Sequence, residues 1–356
     1  MSSHPPRRPA PWHPDAPSPD AAGGLGHPVP PAGWPGAPAP YPGRPGGAAP
    51  PAGVPTTTEP LTYSEFYRTP RNRWWKGLLS IVAVGAAILL ISIALTLGAL
   101  GIDLLLGSTT MEEIASGRIT MTPALLLATN LSLIASAGVA VLLHRYLHRQ
   151  PVGTLHSVAG RFRWNWFGRA ALVVGPLFVV YVAVVALVEA PGPLSWGATA
   201  WAFLAVVLLT TPLQAASEEY LFRGVIQRAA GSWVSGAVPS LVLGTLVSAV
   251  TFSVAHFATD VWLIVYYLVF GIAMSLLTHA TGGLEAASLV HAANNVLLFL
   301  MSVPTGRMNE TLDRSAGVGG PFMLVPMAVI AVIAVILIVL ARRRGLVHRA
   351  APPTTA

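Results

Sequence analysis

No cysteine occurs among the 356 residues, so disulfides, thiolate metal sites and a cysteine nucleophile are excluded together. Charge is scarce as well. Asp, Glu, Lys and Arg make up 10% of the chain, against about 25% in soluble globular domains, too few to coat a water-facing surface. Lysine is nearly missing: Lys76 stands alone against 20 arginines. With abundant Ala, Gly and Pro, that bias suggests a high-GC bacterial genome. There is no nucleic-acid-binding motif, and no soluble domain to carry one, so the net charge of +7 points to a basic cytoplasmic face rather than to a nucleic acid partner. What is abundant is apolar: 53% of the residues, collected into long runs that mark an integral membrane protein.

The N-terminal part is a different polymer. Nineteen of the 32 prolines lie in residues 1–60, mixed with Gly and Ala. Such a stretch buries too little apolar surface to offset the entropy of ordering, so residues 1–68 are expected to be a disordered cytoplasmic tail. No apolar core near its start marks a cleavable signal peptide. Either it is a solvated tail, or it is a polyproline ligand for a cytosolic partner with Trp12, Trp34 and Tyr41 as anchors.

Apolar runs of bilayer-spanning length then recur near 77–99, 123–143, 170–188, 199–217, 238–257, 261–279, 284–302 and 323–341. Each has the roughly 18 residues or more that ~30 Å of hydrocarbon requires at 1.5 Å per residue. The expected fold is an all-α polytopic bundle of about eight transmembrane helices. Its parts are three spans in 69–198, a polar-motif core in 199–302, and a last span with a basic tail in 303–356. With eight spans, 18 of the 21 basic residues share the side of both termini, leaving Arg118, Arg307 and Arg314 opposite. The positive-inside rule makes the termini cytoplasmic, in a cell membrane and, from the composition, a bacterial one. No internal repeat of the transporter kind is evident.

Ionisable residues at membrane depth cost at least ~2.5–3.5 kcal/mol each on insertion scales, so they need partners or a task. Here they cluster in three spans. Ser217-Glu218-Glu219-Tyr220-Leu221-Phe222-Arg223 closes the fourth: Glu219 and Arg223, four apart, share a helix face and can pair, while Glu218 points about 100° away. The plain alternative is a charge cluster capping a helix at the membrane surface. Thr251-Phe252-Ser253-Val254-Ala255-His256 closes the fifth, where a lone histidine is usually interfacial. His291-Ala-Ala-Asn294-Asn295 lies within the seventh; helix–helix hydrogen bonding is its plain reading, at only ~0.6 kcal/mol per contact.

Taken together, a carboxylate, two imidazoles and an amide on three helices suit hydrolysis. A glutamate can serve as general base on water, with a histidine orienting that water. Histidine and asparagine can donate hydrogen bonds to a tetrahedral oxyanion. No serine, cysteine or lysine dyad offers a nucleophile, so attack by water follows.

Glu218-Glu219-x-x-x-Arg223, Phe252-x-x-x-His256 and His291-x-x-x-Asn295, in this order on successive spans, resemble the three-motif pattern of the CPBP family, the CAAX prenyl proteases and bacteriocin-processing enzymes also called the ABI family. The approach Thr281-Gly-Gly-Leu-Glu-Ala-Ala-Ser-Leu-Val is similar too, with Glu285 standing where an apolar residue is expected. The likeness covers about residues 199–302. It implies an intramembrane endopeptidase acting on a membrane-associated peptide or protein, without a cofactor, its site in a cavity opening toward the cytoplasm. It carries the base role to Glu218, water orientation to His256 and oxyanion stabilisation to His291 and Asn295, with Glu219, Arg223 and Phe252 in support.

Three rivals remain open from the sequence. A zinc protease would use Glu218, His256 and His291 as ligands, although no His-Glu-x-x-His helix is present. A non-catalytic scaffold or immunity protein of the same fold has no reason to keep all four polar residues. A transporter would spread ionisable residues through both halves. Prenylated proteins are an unexpected substrate in a bacterium.

Overall fold

A computed structural model of the chain describes residues 59–188 and 192–351. Most of the Pro-rich tail, with Trp12, Trp34 and Tyr41, lies outside the described residues. Eight long helices carry the architecture: α1 (Trp74–Leu106), α2 (Pro123–Leu147), α3 (Trp164–Val188), α4 (Ala198–Gly231), α5 (Ala237–Ala255), α6 (Val261–Thr281), α7 (Glu285–Ser302) and α8 (Pro321–Arg343). Among the described residues, seven are long and apolar enough to cross a membrane. The eighth, α7, has 18 residues and is diluted by Glu285, His291, Asn294 and Asn295. The fold is the expected all-α membrane bundle.

The outward faces are apolar: Leu90, Leu97, Leu172, Leu209 and Val238 are all more than half exposed, as lipid requires, since every backbone polar group is satisfied within its own helix. The polar side chains turn inward. Ser80, Ser136, Thr211, Glu219, Arg223, Gln227 and Arg228 have at most 0% of their surface exposed. This inside-out polarity is why α4 runs on to Gly231 instead of ending near 217 as its composition suggests. Its charged second half is buried among protein partners and never meets lipid. Residues Tyr220–Gln227 are wound as a π-helix, a form common at functional positions.

Two sets of connections define two faces. Leu61–Thr62 (β1) and Arg349–Ala350 (β2) pair antiparallel, Leu61 opposite Ala350, so the chain enters and leaves the bundle on one face. The α2–α3 and α6–α7 connections join them there, through Tyr63 Oη donating to Leu155 O (2.7 Å) and a bridge between Ser157 and Gly283. An even number of crossings follows. On the opposite face, Met121 N donates to Asn309 Oδ1, Ser195 N to Pro304 O and Gly317 N to Asp260 Oδ2.

The last part of the expected tail is an exception to the disorder assigned to residues 1–68. Leu61 to Tyr67 are buried, and the Arg228 guanidinium stacks 3.6 Å over the Tyr63 ring. Four aromatic or aliphatic side chains in seven residues supply the buried area that the Pro-rich part lacks. Glu285, the departure from the family pattern, is also explained. Both its carboxylate oxygens take up Arg163, Oε2 from Nη2 at 2.7 Å and Oε1 from Nε at 2.8 Å, a bidentate clamp between two connections on the termini face. Glu285→Ala strands a nearly buried guanidinium and is expected to lower stability by about 3–5 kcal/mol. Thermal unfolding of the detergent-solubilised protein measures it.

Candidate active site

The polar side chains converge from α4, α5, α6 and α7 at mid-bundle. α5 and α6 approach closely because Gly271 has no side chain: a Cβ there would come within 2.9 Å of Ala249 Cα. The approach brings Gly271 O to Arg223 Nη2 (3.3 Å).

Arg223 is the centre of a buried support. Its Nη1 donates to Glu219 Oε1 at 3.0 Å, with both side chains fully buried, and its guanidinium lies 4.4 Å from the Phe252 ring centroid. The same Glu219 oxygen meets His291 Nδ1 at 2.7 Å. A carboxylate can only accept, so Nδ1 carries a proton, and Nε2 turns to Glu218. Phe252 and Phe270 hold the ring edge-on, at 5.8 and 4.7 Å. The i, i+4 pair expected from sequence is present and reaches further, by orienting an imidazole on another helix. Glu219→Gln leaves Arg223 charged and buried and is expected to cost about 3–5 kcal/mol, read as a loss of folded protein in a thermal scan.

Glu218 faces the other way. Gln214, one turn earlier, donates Nε2 to Glu218 Oε1. Oε2 is buried, makes no hydrogen bond within the protein and lies 3.6 Å from His291 Nε2. Gln214 Oε1 accepts from Asn295 Nδ2 at 3.4 Å, and Asn294 Nδ2 donates to Asn295 Oδ1 at 3.2 Å. Tyr266 Oη donates to Asn294 Oδ1 at 3.2 Å. His256, one residue past the end of α5, meets the Phe252 carbonyl through Nδ1 at 2.8 Å and stacks on Tyr267 at 3.8 Å. Its Nε2 is then the acceptor nitrogen. Phe257 follows with φ +51°, a conformation strained for a bulky residue and frequent beside functional sites.

Glu218, His256, Asn294, Asn295 and Gln214 line one cavity of about 1500 Å³. His291 stands behind Glu218, with 2% of its surface exposed. The structure therefore brings together the four residues singled out in sequence, three on the cavity wall and one in its backing. Among the described residues, no group of three His, Asp or Glu side chains that could hold a metal ion occurs. Sequence reading missed Gln214, Tyr266, Tyr267 and Arg314. Gln214 was detectable as an amide inside an apolar run. The tyrosines look like ordinary interfacial aromatics, and Arg314 like a loop cation.

The fold and this site define a polytopic membrane protein with a buried Glu/His/Asn centre. Residues 198–297 match the family model described as type II CAAX prenyl endopeptidase Rce1-like, and the likeness read from the three motifs is borne out over that segment. A curated relative, the uncharacterized protein YyaK of Bacillus subtilis (strain 168), is 29% identical over 167 residues, covering 43% of this chain and 53% of the relative. The chain thus spans about half the length of the curated relative it matches. No solved structure matches it. At this level the match shows a segment of a multi-pass membrane protein that is similar to the type II CAAX prenyl endopeptidases.

Proposed function

We propose that the protein is an intramembrane endopeptidase hydrolysing a peptide bond of a membrane-associated protein or peptide, with water activated by Glu218. The observation carrying this reading is the asymmetry of the Glu218 carboxylate. Gln214 fixes one oxygen; the other is buried without a hydrogen bond, 3.6 Å from His291 Nε2, and the side chain lines the cavity. In the reaction Glu218 removes one proton from water as the water oxygen attacks the carbonyl carbon, and His256 Nε2 accepts a hydrogen bond from the other O–H and aims the lone pair. The carbonyl π electrons move onto oxygen, and Asn295 Nδ2–H, with Nε2–H of His291 as an imidazolium, donates to that oxyanion. Collapse breaks the C–N bond while Glu218 returns its proton to the leaving nitrogen, giving a carboxylic acid and an amine, and transfer of the remaining proton leaves a carboxylate and an ammonium. Glu219 and Arg223 position His291, and Phe252 packs against both sides of the site.

No cofactor takes part in this scheme, and a chelator is expected to leave turnover within twofold of the untreated enzyme. Metal analysis alongside the assay checks this: stoichiometric zinc, with activity lost on chelation and restored by zinc, would replace the glutamate mechanism. The direct test is comparative proteomics of membranes holding the wild type or Glu218→Gln. Peptide termini present only with the wild type identify substrates; none at all would favour a non-catalytic scaffold.

A further inference from the structure

The cavity and the chain termini lie on opposite faces of the bundle. Arg307, Glu310, Asp313 and Arg314, from the α7–α8 connection, line the cavity together with Met121 and Leu194 of the two connections beside it. On α2 and α6 the lining comes from the first turns and on α3, α5 and α7 from the last turns, all on the side away from the termini, while Ile81 to Ser92 of α1 and Gln214 to Ile226 of α4 form the cavity's inner end deeper in the bundle. Among the described residues, none of the segments 59–73, 148–163, 228–236, 279–287 or 344–351, which make up the termini face, contributes a lining side chain. That face is closed by the β1–β2 pair, by Arg228 packed on Tyr63, and by the Arg163–Glu285 clamp.

The charge distribution orients this asymmetry. Among the described residues the termini face and the helix ends beside it carry 14 basic residues, with Arg223 buried at mid-bundle, and the cavity face has Arg118, Arg307 and Arg314 with Glu112, Glu113, Glu310 and Asp313. A bias of that size in short connections keeps the basic face in the cytoplasm. The cavity consequently cannot open toward the cytoplasm while the termini lie there, contrary to the expectation drawn from the family likeness.

We infer that the cavity opens on the extracytoplasmic side of the membrane, and that its substrate is an exported polypeptide cleaved where it emerges from the outer surface. The substrate assignment rests on the peptidase reading above; the sidedness does not. The walls agree with such a segment. Ile88, Leu133, Val185 and Leu298 offer apolar surface to the membrane-embedded part of a chain, and Glu310, Asp313, Arg307 and Arg314 gather polar groups at the mouth. A cytosolic protein with a lipidated C-terminal tail would be presented to the closed face.

The absence of cysteine makes the test clean, because each introduced thiol is the only one in the chain. Asp313→Cys and Thr305→Cys at the mouth, and Val152→Cys and Val347→Cys on the termini face, lie outside the residues assigned to catalysis. In intact cells a membrane-impermeant maleimide is expected to label the first pair at least tenfold faster than the second, with Val152→Cys and Val347→Cys labelled only after permeabilisation. The reverse pattern overturns the sidedness. For the substrate, new peptide termini that depend on Glu218 are expected in extracytoplasmic segments within a few residues of a membrane anchor. Such termini confined to cytoplasmic segments overturn the substrate class. No Glu218-dependent termini would sink the peptidase reading, and the labelling would still decide which way the cavity faces.

Discussion

Glu218→Gln is expected to reduce peptide-bond cleavage by at least about 10³-fold, within the range that a general base contributes together with its part in proton return. Glutamine keeps the shape and the contact with Gln214, and it removes the proton acceptor. The variant should fold: Glu218 Oε2 has no protein hydrogen bond to lose, and the adjacent Glu219–Arg223 pair is untouched. Single-turnover cleavage of a substrate found by proteomics, with a thermal scan of the same preparation, measures both parts. Turnover near the wild-type rate in a folded variant would end the assignment of Glu218 as the base. The neighbouring Glu219→Gln provides the contrast, since its loss should appear first in stability.

Asn295→Ala is expected to lower turnover by ~10²–10³ with substrate affinity little changed, the signature of a hydrogen bond made to the oxyanion and not to the ground state. Asn294→Ala should do much less, because Asn294 Oδ1 accepts from Tyr266 and its Nδ2 only donates to Asn295 Oδ1. His291→Ala should match Asn295→Ala in direction, and the double variant should cost less than the sum, since both act on one charge. Rates and affinities of the three single variants, read beside their thermal stabilities, separate this from a packing defect. An equal effect of Asn294→Ala and Asn295→Ala would sink the oxyanion role of Asn295.

The helix lengths, the inside-out polarity and the three polar motifs were legible because each is local. An apolar run of 18 residues and an i, i+4 spacing are properties of one segment. Arg223 and Glu219 are a case in point: their pairing follows from helical geometry alone. What Glu219 does next is not local, because its contact with His291 joins residues 72 positions apart. The end of α4 was misplaced for the same reason. Glu218 to Arg228 look like an interfacial end until Tyr63, Thr154 and Gly271 arrive to satisfy them. Leu61 to Tyr67 were grouped with the tail because proline density dominates the region, whereas their burial depends on surfaces from the α2–α3 and α6–α7 connections.

By itself the sequence determined that this is a membrane bundle and which ionisable residues at membrane depth need partners or a task, because insertion costs are paid residue by residue. It also set the charge asymmetry that orients the chain. Only the tertiary structure decided that Glu218 lines the cavity while His291 backs it, and that Glu285 is a clamp remote from the site. Sidedness of the cavity belongs to the tertiary structure too. Which end of a bundle is open depends on how eight helices splay and on which connections cover them, and no spacing within a single helix records that.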